Sequence, residues 1–220
     1  MMTPPRHSLV WLTPEGWRCA QRRDAACAQT LETWARAGWP LVARRHDPDA
    51  ARDEVCLGLP LPDRGRVALR LPAASVARID AALPLGAICA AAPAPWQQPL
   101  AQLAAEAGAE GMVLRVYGSA AWQALTGIAY VGDASDIDLL FAPDSAEQLR
   151  RGLALLARHA QRLPLDGEIL FPSGRAAAWK EWLLADTGRA GMRVLVKHSG
   201  GVALETTREL IGELAPEPLQ

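Results

Sequence analysis

Gly118-Ser119 and, after a short interval, Ser135-Asp136-Ile137-Asp138-Leu139-Leu140 are the residues that decide how this chain reads. Gly118-Ser119 follows the apolar, β-branched run Met112–Tyr117 and opens a helical interval over Ser119–Thr126. A Gly-Ser turn at that point bends the backbone tightly and presents N–H groups at a helix start, where they suit phosphate. Ile137–Phe141 reads as a strand. Its two-residue alternation puts Asp136 and Asp138 on one face, and Ile137 and Leu139 on the other, toward a core.

Two close carboxylates disfavour each other's charge unless a cation lies between them. Mg²⁺ supplies one, because it prefers hard oxygen ligands and phosphate oxygens. A phosphate-holding turn beside a metal-holding carboxylate pair is the equipment of nucleotidyl transfer, in which metal ions stabilise the attacking and leaving oxygens. Either motif alone has a plainer reading, an acidic strand end in water or a Ser-capped helix start. Their pairing favours the functional one.

A third carboxylate is expected from the next strand, Glu168–Phe171. Glu168 is the favoured metal ligand because Ile169-Leu170-Phe171 fixes it on the strand. Asp166 is held in reserve, since Asp166-Gly167 reads equally as a turn. Trp122, Gln123, Thr126 and Tyr130 fill the interval between the motifs as pocket lining or core, with core favoured for Trp122. Lys180, Lys197, Arg115, Arg44 and Arg45 can each bind phosphate, but a solvated role is the commoner one for each alone. The four histidines have no metal-ligand spacing, and no Ser/His/Asp pattern or G-x-x-x-x-G-K-[ST] loop stands out.

Around these motifs the elements mix without strict βαβ alternation, which argues for α+β. Ser145 with Gln148 has the form of a capping box for a helix from Ala146 to Gln161, with Leu149, Leu153, Leu156 and Ala157 on its apolar face. A helix over Ala176–Leu184 and short strands at Arg193–Lys197 and Val202–Glu205 follow. Toward the N-terminus, strands are expected at Leu9–Leu12, Pro40–Arg45, Val55–Leu59 and Val67–Leu71. A helix over Ala25–Ala37 should end at Gly38. Ala90–Pro99 is the best linker, followed by a helix over Pro99–Ala109. The chain therefore divides into residues 1–95, a small α+β domain, and residues 96–220, which carry the motifs.

Bulk properties narrow the function. The 220 residues are 50% hydrophobic, enough for a sizeable core. A net charge of -1 excludes a broad nucleic-acid surface. Cys19, Cys27, Cys56 and Cys89 are scattered, so no structural zinc site is expected. With no signal segment and no membrane-spanning run, the expectation is a soluble, cytoplasmic protein.

Gly118-Ser119 with Ser135-Asp136-Ile137-Asp138 resembles the polymerase-β type of nucleotidyltransferase. More narrowly, Tyr117 to Gly127, Tyr130-Val131 and Ser135 to Leu140 resemble the phosphoribosyl-dephospho-CoA transferases of malonate decarboxylase, the holo-acyl-carrier-protein synthases of that system. Arg6-His7, Leu9–Leu12, Pro40–Arg45 and Asp166-Gly167-Glu168 extend the likeness over most of the chain. The resemblance implies a nucleotidyltransferase domain behind a smaller N-terminal domain. It implies attack by a serine of the acyl-carrier subunit on triphosphoribosyl-dephospho-CoA, with pyrophosphate leaving. Asp136 and Asp138 take the catalytic, metal-ligand role, Gly118 and Ser119 the triphosphate-binding role, and Mg²⁺ is the expected cofactor. The rival readings are another protein-modifying nucleotidyltransferase, either a citrate lyase-type carrier synthase or an adenylyltransferase, and a non-enzymatic binding module.

Overall fold

A computed structural model describes residues 4–63, 65–185, 193–198 and 201–214. It is an α+β structure with two separate sheets. The chain divides between Ala82 and Leu83.

In the first unit, β1 (Leu9–Leu12), β2 (Leu41–Ala43), β3 (Glu54–Pro60), β4 (Arg66–Pro72) and β5 (Val76–Asp80) form an antiparallel sheet in the order β4-β3-β2-β1-β5. Helices α1 (Pro14–Arg23) and α2 (Ala28–Ala37) lie beside each other. Leu31, Trp34, Leu41, Leu57, Leu59 and Leu71 are buried. Strand β2 is three residues long, shorter than the expected Pro40–Arg45; the Arg44 N–H still donates to the Cys56 carbonyl at 3.0 Å, and the Arg44 side chain joins Asp47 and Arg70 in an ion-pair network. Helix α1 was not expected. Its sequence is too polar for an apolar stripe, but it begins on strong local signals. Thr13 accepts the Gly16 N–H at 2.9 Å, Pro14 takes the first helical position and Glu15 the first turn.

The second unit begins with β6 (Leu83–Pro84), a 3₁₀ segment over Leu85–Ala91 and helix α3 (Ala94–Ala109). The Ala90–Pro99 stretch is therefore not a linker, and the division precedes the expected boundary at 95/96. Pro95 falls in the first turn of α3, where a missing N–H costs nothing, and Gln97 donates to the Ala92 carbonyl at 3.0 Å. The Ala-Pro composition thus marks a helix start.

The remaining elements are β7 (Leu114–Tyr117), α4 (Gly118–Thr126), β8 (Ile137–Phe141), α5 (Ala146–His159), β9 (Leu165–Leu170), β10 (Ala176–Ala178), α6 (Trp179–Ala185), β11 (Arg193–His198), β12 (Gly201–Thr206) and α7 (Thr207–Ile211). The sheet order is β12-β11-β10-β9-β8-β7-β6. Among the described residues only β8 and β9 pair in parallel, and α5 makes the crossover between them. Ser145 accepts the Gln148 N–H at 3.1 Å, while the Gln148 side chain reaches back to the Asp144 N–H at 2.8 Å, one residue beyond a strict capping box. Leu149, Leu153 and Leu156 pack into one core with Ile137, Leu139, Phe141, Leu165, Ile169 and Trp182.

Two departures reshape the centre of the sheet. Ala176–Ala178 is a strand rather than a helix start, because it hydrogen-bonds to β9 on one side and β11 on the other, and those ladders override alanine's helix preference. Strand β9 begins at Leu165, three residues before the expected start, so Asp166 lies inside the strand.

Candidate active site

The site is built across β7, β8 and β9. Tyr117, the last residue of β7, stands opposite Asp138 in the antiparallel ladder. Asp138 in turn stands opposite Asp166 in the parallel ladder. Directly opposed residues share a face of the sheet. Asp136 lies one side-chain repeat before Asp138, on that same face. The Ile137 N–H donates to the Pro164 carbonyl at 2.8 Å, which pins the start of β8 to the start of β9.

Asp136, Asp138 and Asp166 converge so that one oxygen from each lies within 4.8 Å of the others. Asp136 is exposed, and Asp138 and Asp166 are half-buried. This donor set fits a hard divalent cation: three oxygen ligands, a shared negative charge and an open side toward solvent. Glu168 is not part of the group. It is only 4% exposed and accepts from Lys197 Nζ at 2.8 Å, one repeat further along β9. Lys180 Nζ stands 3.7 Å from Asp166.

Two backbone features permit this convergence. Gly118 has φ +68°, and a Cβ there would lie 2.0 Å from Asp138 Oδ2. The backbone therefore turns from β7 into α4 directly against a site carboxylate. Gly167 has φ +126°, and a Cβ there would lie 2.0 Å from the Leu139 carbonyl oxygen. Only glycine lets β8 and β9 approach at this point, between the two carboxylates of β9.

Helix α4 starts without a side-chain cap, so the first turn at Gly118 and Ser119 offers backbone N–H groups beside Asp138. Ser119 is half-buried in that turn. The loop between the motifs is held by Gln123. Its Oε1 accepts the Tyr130 and Val131 N–H groups at 3.1 and 3.0 Å, and its Nε2 donates to the Ala91 carbonyl at 2.7 Å. Ser135 Oγ accepts the Gly132 N–H at 3.0 Å and closes the turn before Asp136. Trp122 is 4% exposed and belongs to the buried interior. Tyr130 is half-buried, and that burial pushes its hydroxyl up to about 12. Arg44, a candidate phosphate ligand, instead grips Asp47 and the Leu57 carbonyl.

Residues 73–208 match the family described as the C-terminal domain of phosphoribosyl-dephospho-CoA transferase MdcG, and residues 5–82 match the N-terminal domain of the same protein. The chain belongs to the phosphoribosyl-dephospho-CoA transferase family. It is 39% identical over 204 residues to a phosphoribosyl-dephospho-CoA transferase of Xanthomonas campestris pv. campestris, covering 90% of this chain and 92% of that one. It is 39% identical to one from Bradyrhizobium diazoefficiens, covering 81% of each chain, and 31% identical to one from Azotobacter vinelandii, covering 92% and 93%. No solved structure matches. The chain is thus a transferase of this family. The carboxylate of β9 that the structure brings to Asp136 and Asp138 is Asp166, the alternative to the favoured Glu168. The signal that favours it is Asp-Gly followed at once by an apolar run, a glycine that a neighbouring backbone requires inside a strand rather than in a turn.

Proposed function

We propose that this transferase moves the phosphoribosyl-dephospho-CoA group from triphosphoribosyl-dephospho-CoA to a serine of the malonate decarboxylase acyl-carrier subunit, in the cytoplasm, releasing pyrophosphate. The second unit then acts as a nucleotidyltransferase domain of the polymerase-β type. The observation that carries this reading is the convergence of Asp136, Asp138 and Asp166 beside the uncapped start of α4, in a chain of this family.

The serine oxygen attacks the α-phosphorus of the substrate's triphosphate. The bond from that phosphorus to the bridging oxygen of the β-phosphate breaks, the serine's proton passes to water, and a phosphodiester remains on the carrier. Asp136, Asp138 and Asp166 would hold Mg²⁺, which offsets the charge developing on the α-phosphate and the leaving pyrophosphate. Gly118 and Ser119 orient the triphosphate through the first-turn N–H groups of α4 and the serine hydroxyl. Gln123 keeps the 130–131 loop in place beside this turn, so the bound phosphates meet a fixed backbone.

Intact-mass analysis of the apo carrier subunit tests the reading, after incubation with the protein, Mg²⁺ and triphosphoribosyl-dephospho-CoA. The expected result is a gain equal to the phosphoribosyl-dephospho-CoA group, with one pyrophosphate released per carrier. No gain with folded protein and verified substrates would overturn the assigned acceptor. A gain on a citrate lyase-type carrier, or adenylyl transfer from ATP, would then identify a different nucleotidyltransferase.

A further inference from the structure

Of the 23 Lys and Arg residues in this chain, only Lys180 and Lys197 are lysines. Both stand at carboxylates of β9. Lys197 Nζ is 2.8 Å from Glu168, and Lys180 Nζ is 3.7 Å from Asp166. Among the described residues, carboxylates elsewhere are paired mostly with arginine, as in Arg70–Asp49, Arg36–Glu32 and Arg175–Glu213, and once with His159. The chemical difference matters at a metal site. A guanidinium binds a carboxylate as a planar, two-pronged fork and occupies the lone pairs a metal needs. An ammonium is a point charge on a flexible stem, and it can leave.

The two lysines differ in how firmly they are held. Lys197 makes a hydrogen bond of normal length to a buried carboxylate. Lys180 lies beyond hydrogen-bond length from Asp166, and the two side chains are 54% and 43% exposed. Such a contact is weak and readily exchanged. Lys180 is in the first turn of α6, which starts straight after β10, and so stands at the edge of the carboxylate cluster.

We propose that Lys180 is a triphosphate-binding residue. It balances the charge of Asp166 until a divalent metal takes that carboxylate, then turns to the outer phosphates of the substrate's triphosphate. This inference rests on the metal–triphosphate reading of the site and adds a residue that the Gly-Ser and Asp-x-Asp motifs do not contain. Lys197 stays on Glu168 throughout.

The test uses the whole protein with Lys180→Gln and Lys180→Arg, Mn²⁺ as the metal probe and inorganic tripolyphosphate as the phosphate probe. Calorimetry measures each affinity. Lys180→Gln removes a cation that competes for Asp166 and also removes a phosphate partner, so its two effects have opposite signs. Mn²⁺ alone should bind about 3–10-fold tighter than in the wild type. Tripolyphosphate with Mn²⁺ should bind about 10–100-fold weaker, the loss expected for one charge-assisted hydrogen bond. Lys180→Arg should bind Mn²⁺ more weakly than the wild type, because the fork holds Asp166. Unchanged tripolyphosphate binding in Lys180→Gln overturns the proposal. So does parallel weakening of both ligands, which would mark a structural role. If the wild type itself binds no tripolyphosphate with Mn²⁺, the reading of the site falls with it. Failure to modify the carrier subunit while these affinities behave as expected overturns only the assigned acceptor.

Discussion

Gly118 and Asp138 are in such close approach that a methyl group on the glycine would stand 2.0 Å from the carboxylate oxygen Oδ2. The glycine also adopts φ +68°, a left-handed conformation that other residues resist. Gly118→Ala therefore strains the turn and pushes a site carboxylate away. Displacements of about 1 Å at a reacting centre cost on the order of 10²-fold in rate. The expected outcome is a fall of about that size in kcat/KM for carrier modification, while far-UV circular dichroism stays native. An alanine variant with wild-type turnover would show that Asp138 does not need its position.

Asp166 and Glu168 lie two residues apart on one strand, Asp166 in the converging carboxylate group and Glu168 buried against Lys197, and their substitutions test the proposed metal role. Asp166→Asn removes one oxygen of the converging set and should lower kcat/KM by about 10²–10³-fold. Its Mn²⁺ affinity should drop by at least about tenfold. Glu168→Gln should leave Mn²⁺ binding within about twofold, because that carboxylate is engaged by Lys197. Lys197→Met should destabilise more than Glu168→Gln. It deprives a buried carboxylate of its cation, at a cost of about 1–3 kcal/mol, whereas an orphaned, half-exposed Lys197 is left to water. Mn²⁺ titration and urea unfolding on the same four proteins read both orders. A loss of metal binding in Glu168→Gln equal to that in Asp166→Asn would reverse the assignment.

Gly167 is required by the neighbouring strand rather than by the reaction. A methyl group there would meet the Leu139 carbonyl oxygen at 2.0 Å and its nitrogen at 2.5 Å, and φ is +126°. Neither contact can move aside, because both atoms belong to the backbone of β8. Gly167→Ala should destabilise the second unit by about 3 kcal/mol or more, through overpacking and backbone strain together. Thermal unfolding measures it, and a shift of less than a degree would show that β8 and β9 can separate without penalty.

The two motifs that mark the site were legible because each is local. Gly118 needed only a strand before it and a helix after it, and Asp136 and Asp138 needed only the two-residue alternation of one strand. The third carboxylate was not local. Asp166 joins the others through the parallel register of β8 and β9, which the long α5 crossover leaves unspecified in the sequence. Gly167 then misled, because Asp-Gly signals a turn whereas here the glycine serves a close backbone approach within a strand. Helix α1 escaped for a different reason. Its signals lie in its cap, Thr13-Pro14-Glu15, and not in apolar spacing. Ala176–Ala178 shows the limit of propensity, since three alanines became a strand once β9 and β11 supplied partners on both edges.

The first unit carries an ion-pair network centred on Asp47. Asp47 is gripped by the Arg44 guanidinium and also accepts from Arg70 Nε at 2.7 Å. The hydrogen bonds from Arg44 are the main cause, with Arg70 adding to them, and together they hold the Asp47 carboxyl well below its usual range. A carboxyl with a depressed folded-state pKa contributes stability above its ordinary pKa of 3.8, and that contribution is lost as pH falls from there toward the folded value. Asp47→Asn should therefore lower the unfolding midpoint at pH 7. The gap to the wild type should hold down to about pH 5 and narrow below about pH 4, as the wild type begins to lose the same contribution. Urea unfolding at pH 7, 5, 4 and 3 measures it. A gap that stays constant across those four values would mean that Asp47 acts through shape and hydrogen bonding alone, without its charge.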